Sequence, residues 1–170
     1  MLLADDLLQD ALVLVRKAVG PGIVTELNIR DGGIAVRADR TAFTQVLLNL
    51  AGNAAASMAG AGTIRIVLRA HPHDDAPHAQ RSARIDVVDT GSGMDRATLE
   101  RAFEPFFTTK PVGQGTGLGL SVAYGLVKEM GGEIILASAP GRGTTASVLL
   151  PEAPQEDRKE DGHHGHHTRH

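Results

Sequence analysis

The stretch Gly113-Gln114-Gly115-Thr116-Gly117-Leu118-Gly119-Leu120 opens directly into an apolar helical pattern that continues to Met130. Glycine-rich backbone leading into a helix N-terminus presents free N–H groups and the positive end of the helix dipole to an anion. The stretch is not a P-loop, because the chain has no Gly-Lys pair, and it lacks the G-x-G-x-x-G fingerprint. A flexible linker is the alternative interpretation, but a linker seldom runs directly into an apolar helix. The stretch therefore predicts an anion-binding loop at the start of a helix.

Hydrophobic periodicity on both sides of this loop predicts the rest of the fold. Apolar residues at helical spacing predict four helices, Leu7–Val19, Arg40–Met58, Asp95–Arg101 and Leu118–Met130. Alternating patterns and short apolar runs predict six strands, Ile23–Ile29, Ile34–Arg37, Ile64–Arg69, Ile85–Asp89, Glu133–Ser138 and Thr144–Leu150. Turn signals at Asp31-Gly32-Gly33 and Pro140-Gly141-Arg142-Gly143 predict two hairpins. We therefore expect an α/β (α+β) two-layer sandwich, with a mixed, mostly antiparallel sheet and helices on one face.

Composition limits the classes of function. The chain has 170 residues, 42% of them hydrophobic, which suits one domain with its own core. Its formal net charge of −3 argues against a nucleic-acid binder that relies on bulk positive charge, and the absence of Cys excludes disulfides and thiolate metal sites. The apolar runs are short and the N-terminus carries Asp5 and Asp6, so we expect no membrane insertion and a cytoplasmic location. Residues 1–151 are expected to form the domain, and 152–170 a disordered, polar, His-rich tail.

Gln45, Asn49 and Asn53 form the first of three further clusters. They are four residues apart on a predicted helix, so they share one face between apolar neighbours. A carboxamide oxygen is a hard ligand that suits Mg²⁺ bridging phosphates. The alternative, which the residues alone favour, is a hydrogen-bond network that caps a helix or joins two helices.

Asp89-Thr90-Gly91-Ser92-Gly93-Met94 follows a predicted strand. A carboxylate at the end of a strand can accept a hydrogen bond from an exocyclic amine, and the glycines after it allow a flat ring to lie against the backbone. A tight turn begun by an aspartate cap explains the same residues equally well.

Phe103-Glu104-Pro105-Phe106-Phe107-Thr108-Thr109-Lys110 contains three of the four phenylalanines in the chain. This clustering suits a hydrophobic anchor for a loop that opens and closes, with Lys110 as a cation for a terminal phosphate. The alternative is a small local core with a solvated lysine. Because residues 102–117 show no clean period, we expect a long mobile loop there.

Together and in this order, the four clusters resemble the N, G1, F and G2 boxes of the GHKL superfamily, which shares the Bergerat ATP-binding fold. Gln45–Met58, Asp89–Met94, Phe103–Lys110 and Gly113–Leu120 are most similar to the catalytic ATP-binding domain of bacterial sensor histidine kinases. Gly141–Pro151 resembles the closing strand of that domain. The resemblance extends from Leu2 to Pro151, so it covers almost the whole chain.

The resemblance implies ATP and Mg²⁺ as ligands and assigns roles to matching positions. Asn53 matches the asparagine that ligates Mg²⁺ between the phosphates, and Asn49 lies near the phosphates one turn earlier. Asp89 matches the residue that accepts from the adenine amine, with Gly91 and Gly93 shaping the pocket.

The remaining implied residues belong to the lid and the closing strand. Thr144 matches a threonine that helps to hold the aspartate and a water against adenine. Lys110 and the backbone of Gly115–Gly119 match the phosphate contacts of the lid. Other implied nucleotide-binding residues are Met94, Phe107, Thr116, Gly117, Leu118 and Leu120.

Asn49 discriminates between branches of the superfamily. ATP-hydrolysing members carry a glutamate there to activate water, but a carboxamide cannot take a proton near neutral pH. A neutral histidine acceptor is already nucleophilic and needs less help. Asn49 therefore favours transfer to histidine; the alternatives are a nucleotide-binding docking module without catalysis and a GHKL ATPase.

The resemblance implies that the phospho-accepting histidine lies on a dimerisation domain, which we do not expect within these 170 residues. His71, His73 and His78 fall in a predicted polar loop without the flanking residues of such a site, and five further histidines lie in the tail. The resemblance implies that domain as the direct partner, in the same parent chain or in trans. It also implies a response regulator receiver domain as an indirect partner, and a monomeric fragment. Metal binding by the tail histidines is the less favoured alternative to a solvated tail.

Overall fold

The computed structural model describes residues 1–72, 81–113 and 115–154. The helices are α1 (Ala4–Val19), α2 (Arg40–Ala56), α3 (Arg96–Arg101) and α4 (Gly119–Glu129). The strands are β1 (Leu2–Leu3), β2 (Ile23–Ile29), β3 (Ala35–Val36), β4 (Gly62–His71), β5 (Ser82–Asp89), β6 (Glu133–Ser138) and β7 (Thr144–Pro151). Asp39 begins α2 by accepting the Ala42 N–H at 2.8 Å, which satisfies one of the free amides of the first turn.

Five strands form one mixed sheet in the order β2-β4-β5-β7-β6. β2 pairs with β4 in parallel, and the other three pairings are antiparallel. β6 and β7 form the hairpin predicted at Pro140–Gly143. The mixed, mostly antiparallel sheet predicted from the sequence is therefore confirmed.

The hairpin predicted at Asp31-Gly32-Gly33 is wrong. β3 pairs with β1 in a separate two-stranded sheet, with Leu2 opposite Val36, instead of pairing with β2. Two side chains explain the difference: Asp5 at the start of α1 accepts the Gly33 N–H at 3.0 Å, and Asp31 accepts the Ala70 N–H of β4 at 2.9 Å. The turn is therefore fixed to α1 and β4, and β2 continues along β4.

The core lies between the sheet and the helices α1, α2 and α4. Alternate strand residues such as Ile66 and Ile85 are fully buried on the helix side, against apolar residues of α2 such as Phe43 and Leu47. Asp89 continues the row of Ile85 and Val87 along β5, so its carboxyl group also faces the helices. This alternation brings a buried carboxyl to the end of α2.

The opposite face of the sheet carries a buried ion pair. Asp86 is 4% exposed and contacts Arg69 at 2.7 Å, Arg84 at 2.9 Å and the Ser147 hydroxyl at 2.6 Å. Burial raises the pKa of Asp86, but the hydrogen bonds and the two arginines outweigh it, so the pKa lies below its ordinary value. The carboxylate thus stays ionised and joins β4, β5 and β7.

The fold continues two residues past the boundary predicted after residue 151. Glu152 forms a double hydrogen bond with Arg81, and the Ala153 N–H donates to the Ala35 carbonyl at 2.8 Å. Residues 155–170, most of the predicted disordered tail, lie outside the described residues, as do His73 and His78. Among the residues described, no helix is long and apolar enough to cross a membrane.

Candidate functional site

The three carboxamides of α2 have different partners. The Gln45 side chain donates to the Asn49 side-chain oxygen at 2.7 Å, and this bond lies within α2 instead of joining two helices. Asn53 is exposed, and its carboxamide is hydrogen-bonded to none of the described residues. Asn53 can therefore offer its oxygen to a ligand without breaking an existing bond.

A cavity of about 300 Å³ lies beside this face of α2. That volume is at the lower end of the range for small-molecule sites. Ten of the predicted site residues line it: Asn49, Asn53, Met94, Phe107, Lys110, Gly115, Thr116, Gly117, Gly119 and Leu120. The remaining wall is formed by Leu48, Gly52, Thr98, Ala102, Thr108 and Thr109. The loop and α2, which are far apart in sequence, thus enclose one space.

A backbone hydrogen bond joins two distant parts of the loop between α3 and α4. The Phe106 N–H donates to the Gly117 carbonyl at 2.9 Å. Gly117 has a φ of +66°, and an added Cβ there would lie 2.5 Å from the Phe106 carbonyl carbon. Phe106 also has a φ of +66°, a conformation that costs free energy in a bulky residue. Phe106 therefore keeps an unfavourable backbone conformation in this contact, and Gly117 adopts its positive φ without that cost. The mobility expected for the loop stays a prediction.

Aromatic contacts anchor the loop on its helical side. The Phe103 ring lies 5.2 Å from the Tyr124 ring of α4, and the Arg101 guanidinium lies 4.2 Å above the Phe107 ring. The Phe106 side chain, by contrast, is 75% exposed. The phenylalanine cluster is thus divided between anchoring residues and one exposed residue.

The α4 side of the cavity suits an anion. Leu118 precedes α4 and provides no side-chain cap, so the first N–H groups of the helix lack a side-chain partner there. Lys110 lines the same cavity and forms no ion pair with the described carboxylates. A lysine and a helix N-terminus facing one space favour negatively charged ligand atoms.

Asp89 and three residues close to it, Gly91, Gly93 and Thr144, form a group that we call the Asp89 cluster. Its Oδ1 accepts the Gly91 N–H at 2.8 Å and the Thr144 N–H at 3.1 Å. Burial raises the pKa of Asp89 above its ordinary value, although hydrogen bonds from Gly91, Thr144 and Ser57 oppose the shift. Since both backbone donors use Oδ1, Oδ2 is left to accept from a ligand.

Gly93 and Gly143 let backbone segments approach each other closely around Asp89. Both have positive φ, at +71° and +68°. A Cβ at Gly93 would overlap the Ala139 carbonyl, and one at Gly143 would overlap the Asp89 carbonyl. Glycine is required at both positions to hold the β5 loop against the β6–β7 hairpin.

Met94 connects the Asp89 cluster to the cavity. It lines the cavity, and its N–H donates to the Ser138 hydroxyl at 2.8 Å. Ser138 in turn lies 2.8 Å from the Thr144 hydroxyl and donates to the Gly143 carbonyl at 3.0 Å. Ser138 was not predicted from the sequence, because an ordinary serine at the end of a strand carries no distinguishing signal.

The structure therefore divides the predicted site residues into two groups. Those that do not line the cavity are Asp89, Gly91, Gly93, Leu118 and Thr144. Four of these belong to the Asp89 cluster, while Leu118 precedes α4. Among the described residues, no group of three or more His, Asp or Glu side chains could hold a metal ion. Of the predicted residues, Asn53 remains the candidate metal ligand.

Comparisons with known proteins match the part of the chain that contains these site residues. Residues 38–154 match the model of a family described as histidine kinase-, DNA gyrase B-, and HSP90-like ATPase. Sensor kinase CckA of Brucella abortus (strain 2308) is 41% identical over 163 residues, covering 92% of this chain and 17% of that protein. The chain thus spans only a small part of this curated relative.

Two solved structures extend the similarity to the fold. The catalytic domain of histidine kinase ThkA gives a TM-score of 0.67 at 28% identity, covering 91% of this chain and all of that one. Full-length ShkA, solved in complex with AMPPNP, gives a TM-score of 0.70 at 27% identity, covering 89% of this chain and 32% of that one. The similarity to these two structures therefore covers most of the chain, and the range of the family match, 38–154, contains the positions that line the cavity and surround Asp89.

Proposed function

The chain belongs to the family of histidine kinase-, DNA gyrase B-, and HSP90-like ATPases, and on that premise we propose that it binds Mg²⁺ and ATP at this site. In this proposal it transfers the γ-phosphoryl group to a histidine of a separate dimerisation domain. The observation that carries the proposal is the meeting of Asn53 and Lys110, neither paired with a described side chain, in one cavity. The ShkA structure supports it, since that similar protein was solved with an ATP analogue.

In this proposal the residues around Asp89 bind the base of the nucleotide, and the residues that line the cavity bind its phosphates. Asp89 would accept a hydrogen bond from the adenine amine through Oδ2, because Oδ1 is used by Gly91 and Thr144. Lys110 and the N–H groups at the start of α4 would contact the phosphates. Met94 lies between the two groups of contacts.

Asn53 is the residue that would hold Mg²⁺. Its free carboxamide oxygen is a hard ligand, and Mg²⁺ in such sites keeps several waters and binds the phosphates directly. The bound ion would neutralise phosphate charge, while Asn53 fixes its position relative to α2.

The identity of residue 49 favours transfer over hydrolysis. Asn49 accepts a hydrogen bond from Gln45, and a carboxamide cannot remove a proton from water at neutral pH. The attacking group must therefore be nucleophilic already, as a neutral imidazole is. Its nitrogen bonds to the γ-phosphorus, the bond to the bridging oxygen breaks, ADP leaves, and the imidazole proton passes to solvent.

The acceptor domain would dock where apolar side chains are left exposed near this site. Phe106, Val122 and Tyr124 are 75%, 42% and 41% exposed, on the loop and on α4. We further propose that a response regulator receives the phosphoryl group from that domain, that the fragment is monomeric, and that it works in the cytoplasm.

Two measurements, carried out one after the other, test the proposal. Thermal unfolding with a non-hydrolysable ATP analogue should show stabilisation that is lost in EDTA, since ligand at 100 times its Kd adds about 2.7 kcal/mol. Incubation with γ-labelled ATP and a CckA-type dimerisation domain should then label histidine in that domain. Stabilisation without labelling would favour a docking module, and steady phosphate release by the chain alone would favour an ATPase.

Gly117→Ala tests whether the loop contact matters for nucleotide binding. The added Cβ collides with the Phe106 backbone and the residue must keep a φ of +66°, so we expect Kd for the ATP analogue to rise about 10-fold or more. Gly113→Ala is the matched control, because Gly113 also has a positive φ, +86°, but an added Cβ there meets nothing within 4 Å. Equal Kd values for the two variants, measured by calorimetry, would contradict a role for the contact.

A further inference from the structure

Gly52 lies in the interior of α2, where glycine is an unfavourable residue. It has no side chain to pack, and it loses more backbone freedom on folding than alanine does. A glycine in a helix has a physical reason when something must come close to the backbone at that point. That neighbour is either another part of the protein or a ligand.

Among the residues that the structure describes, no part of the protein takes this space. A Cβ added at Gly52 would meet nothing within 4 Å, and the residue is exposed. Its φ is not positive, so alanine would fit the same backbone without strain. At Gly93, by contrast, an added Cβ would overlap the Ala139 carbonyl. The packing of the described residues therefore does not require glycine at position 52.

Gly52 faces the cavity instead. It lines the cavity together with Asn49 and Asn53. Because residues three and four apart are neighbours on a helix, Gly52 and the two asparagines form one patch of α2. At position 52 the cavity reaches the bare helix backbone, and this leaves a gap beside the two carboxamides.

The two carboxamides beside the gap suit a phosphate and its metal ion. The Asn49 oxygen accepts from Gln45, so its NH₂ group is left to donate, and it donates to none of the described residues. An NH₂ group suits a phosphate oxygen, while the free carboxamide oxygen of Asn53 suits Mg²⁺. The gap thus lies next to a donor for phosphate and next to the candidate ligand for its metal.

The rest of the cavity also favours an anion in this space. Lys110 lines it and forms no ion pair with the described carboxylates, and the first N–H groups of α4 have no side-chain cap. These groups attract negative charge and offer little to a neutral imidazole ring. The group that fits the gap is therefore a phosphoryl group of the nucleotide, and not the ring of the acceptor.

We propose that Gly52 determines which nucleotide the site prefers: the bare backbone at this position leaves room for the terminal phosphoryl group of a nucleoside triphosphate bound with Mg²⁺. This inference rests on the proposed function. A side chain at position 52 would then exclude the triphosphate more strongly than the diphosphate, which lacks the terminal group. The same side chain would stabilise α2 in the free protein.

The experiment measures Kd for Mg·AMPPNP and Mg·ADP by titration calorimetry, and Tm without nucleotide, in Gly52→Ala and Gly52→Leu. Alanine and leucine are good helix formers, so both variants should raise Tm, by about 2 to 4 °C for alanine. We expect Kd for Mg·AMPPNP to rise about 3-fold in Gly52→Ala and about 30-fold or more in Gly52→Leu. Kd for Mg·ADP should change less than about 2-fold in either variant.

Gly125→Ala and Gly125→Leu are the matched controls. Gly125 is exposed within α4, its φ is not positive, and an added Cβ there also meets nothing within 4 Å. It does not line the cavity. These variants should raise Tm in the same way and leave both Kd values unchanged.

The outcomes separate this inference from the proposed function. An unchanged Kd for Mg·AMPPNP in Gly52→Leu, or equal losses for the two nucleotides, would overturn the role of Gly52 while binding by the wild type still supports the proposed function. A lower Tm in Gly52→Ala but not in Gly125→Ala would overturn it too, because position 52 would then be packed in the free protein. Failure of the wild type to bind either nucleotide would overturn the proposed function and the inference with it.

Discussion

Asn53→Ala is expected to lower the rate of phosphoryl transfer to a supplied dimerisation domain by more than about 100-fold. The substitution removes the carboxamide oxygen that would hold Mg²⁺, and Asn53 is exposed on α2 without a hydrogen bond to the described residues, so the fold loses little. Asn53→Asp should be similarly inactive, because it places a negative charge beside the phosphates. Transfer is measured with γ-labelled ATP under single-turnover conditions.

The dependence of ADP affinity on Mg²⁺ isolates the role of Asn53 as a ligand. In the wild type, EDTA should raise Kd for ADP; in Asn53→Ala, Kd should already be high and EDTA should change it little. Asn28→Ala makes the same chemical change at an exposed position of β2, on the sheet face away from the helices, and should leave both quantities unchanged. An Asn53→Ala protein that still gains affinity from Mg²⁺ would remove Asn53 from the metal site.

Elements defined by a long periodic pattern were predicted well from the sequence. β6, β7 and their hairpin lie where alternation and the Pro140–Gly143 turn place them, and α2 begins at its predicted residue Arg40. The β2–β3 hairpin failed because its turn residues make contacts that are distant in sequence: Asp31 binds Ala70 and Gly33 binds Asp5. A local turn signal identifies a change of direction but does not identify the partner strand.

The candidate site was predictable where its residues occur as compact motifs. Asn49, Asn53, Lys110 and Gly115–Gly119 are grouped along the chain, and the structure brings most of them to one cavity. Thr98 and Ser138 were not predicted as site residues, because each contributes through its place in the fold and its residue type is common. The family and its fold are confirmed, while the roles of individual residues stay predictions.

Asp89→Asn is expected to change which base the site prefers. The Gly91 and Thr144 N–H groups both donate to Oδ1, so the carbonyl oxygen of the new side chain must take that place and its NH₂ group must take the place of Oδ2. A donor would then face the adenine amine, which is also a donor. We expect Kd for ADP to rise about 100-fold and affinity for IDP, whose base carries a carbonyl oxygen at that position, to improve.

The pH dependence of ADP affinity, compared between the wild type and Asp89→Asn, gives a second measurement. In the wild type, protonation of Asp89 turns a hydrogen-bond acceptor into a donor, so ADP affinity falls as the pH is lowered. Because burial raises the pKa of Asp89, this fall in affinity begins above the pH expected for an ordinary aspartate. Asp89→Asn has no such titration and should show a flat profile over that range. Asp31→Asn is the control, since Asp31 also accepts a backbone N–H, from Ala70 at 2.9 Å, but is exposed on the turn after β2. Unchanged affinity for ADP in Asp89→Asn, with IDP still rejected, would show that the base is recognised elsewhere and that the buried carboxyl serves only to join β5 to the β6–β7 hairpin.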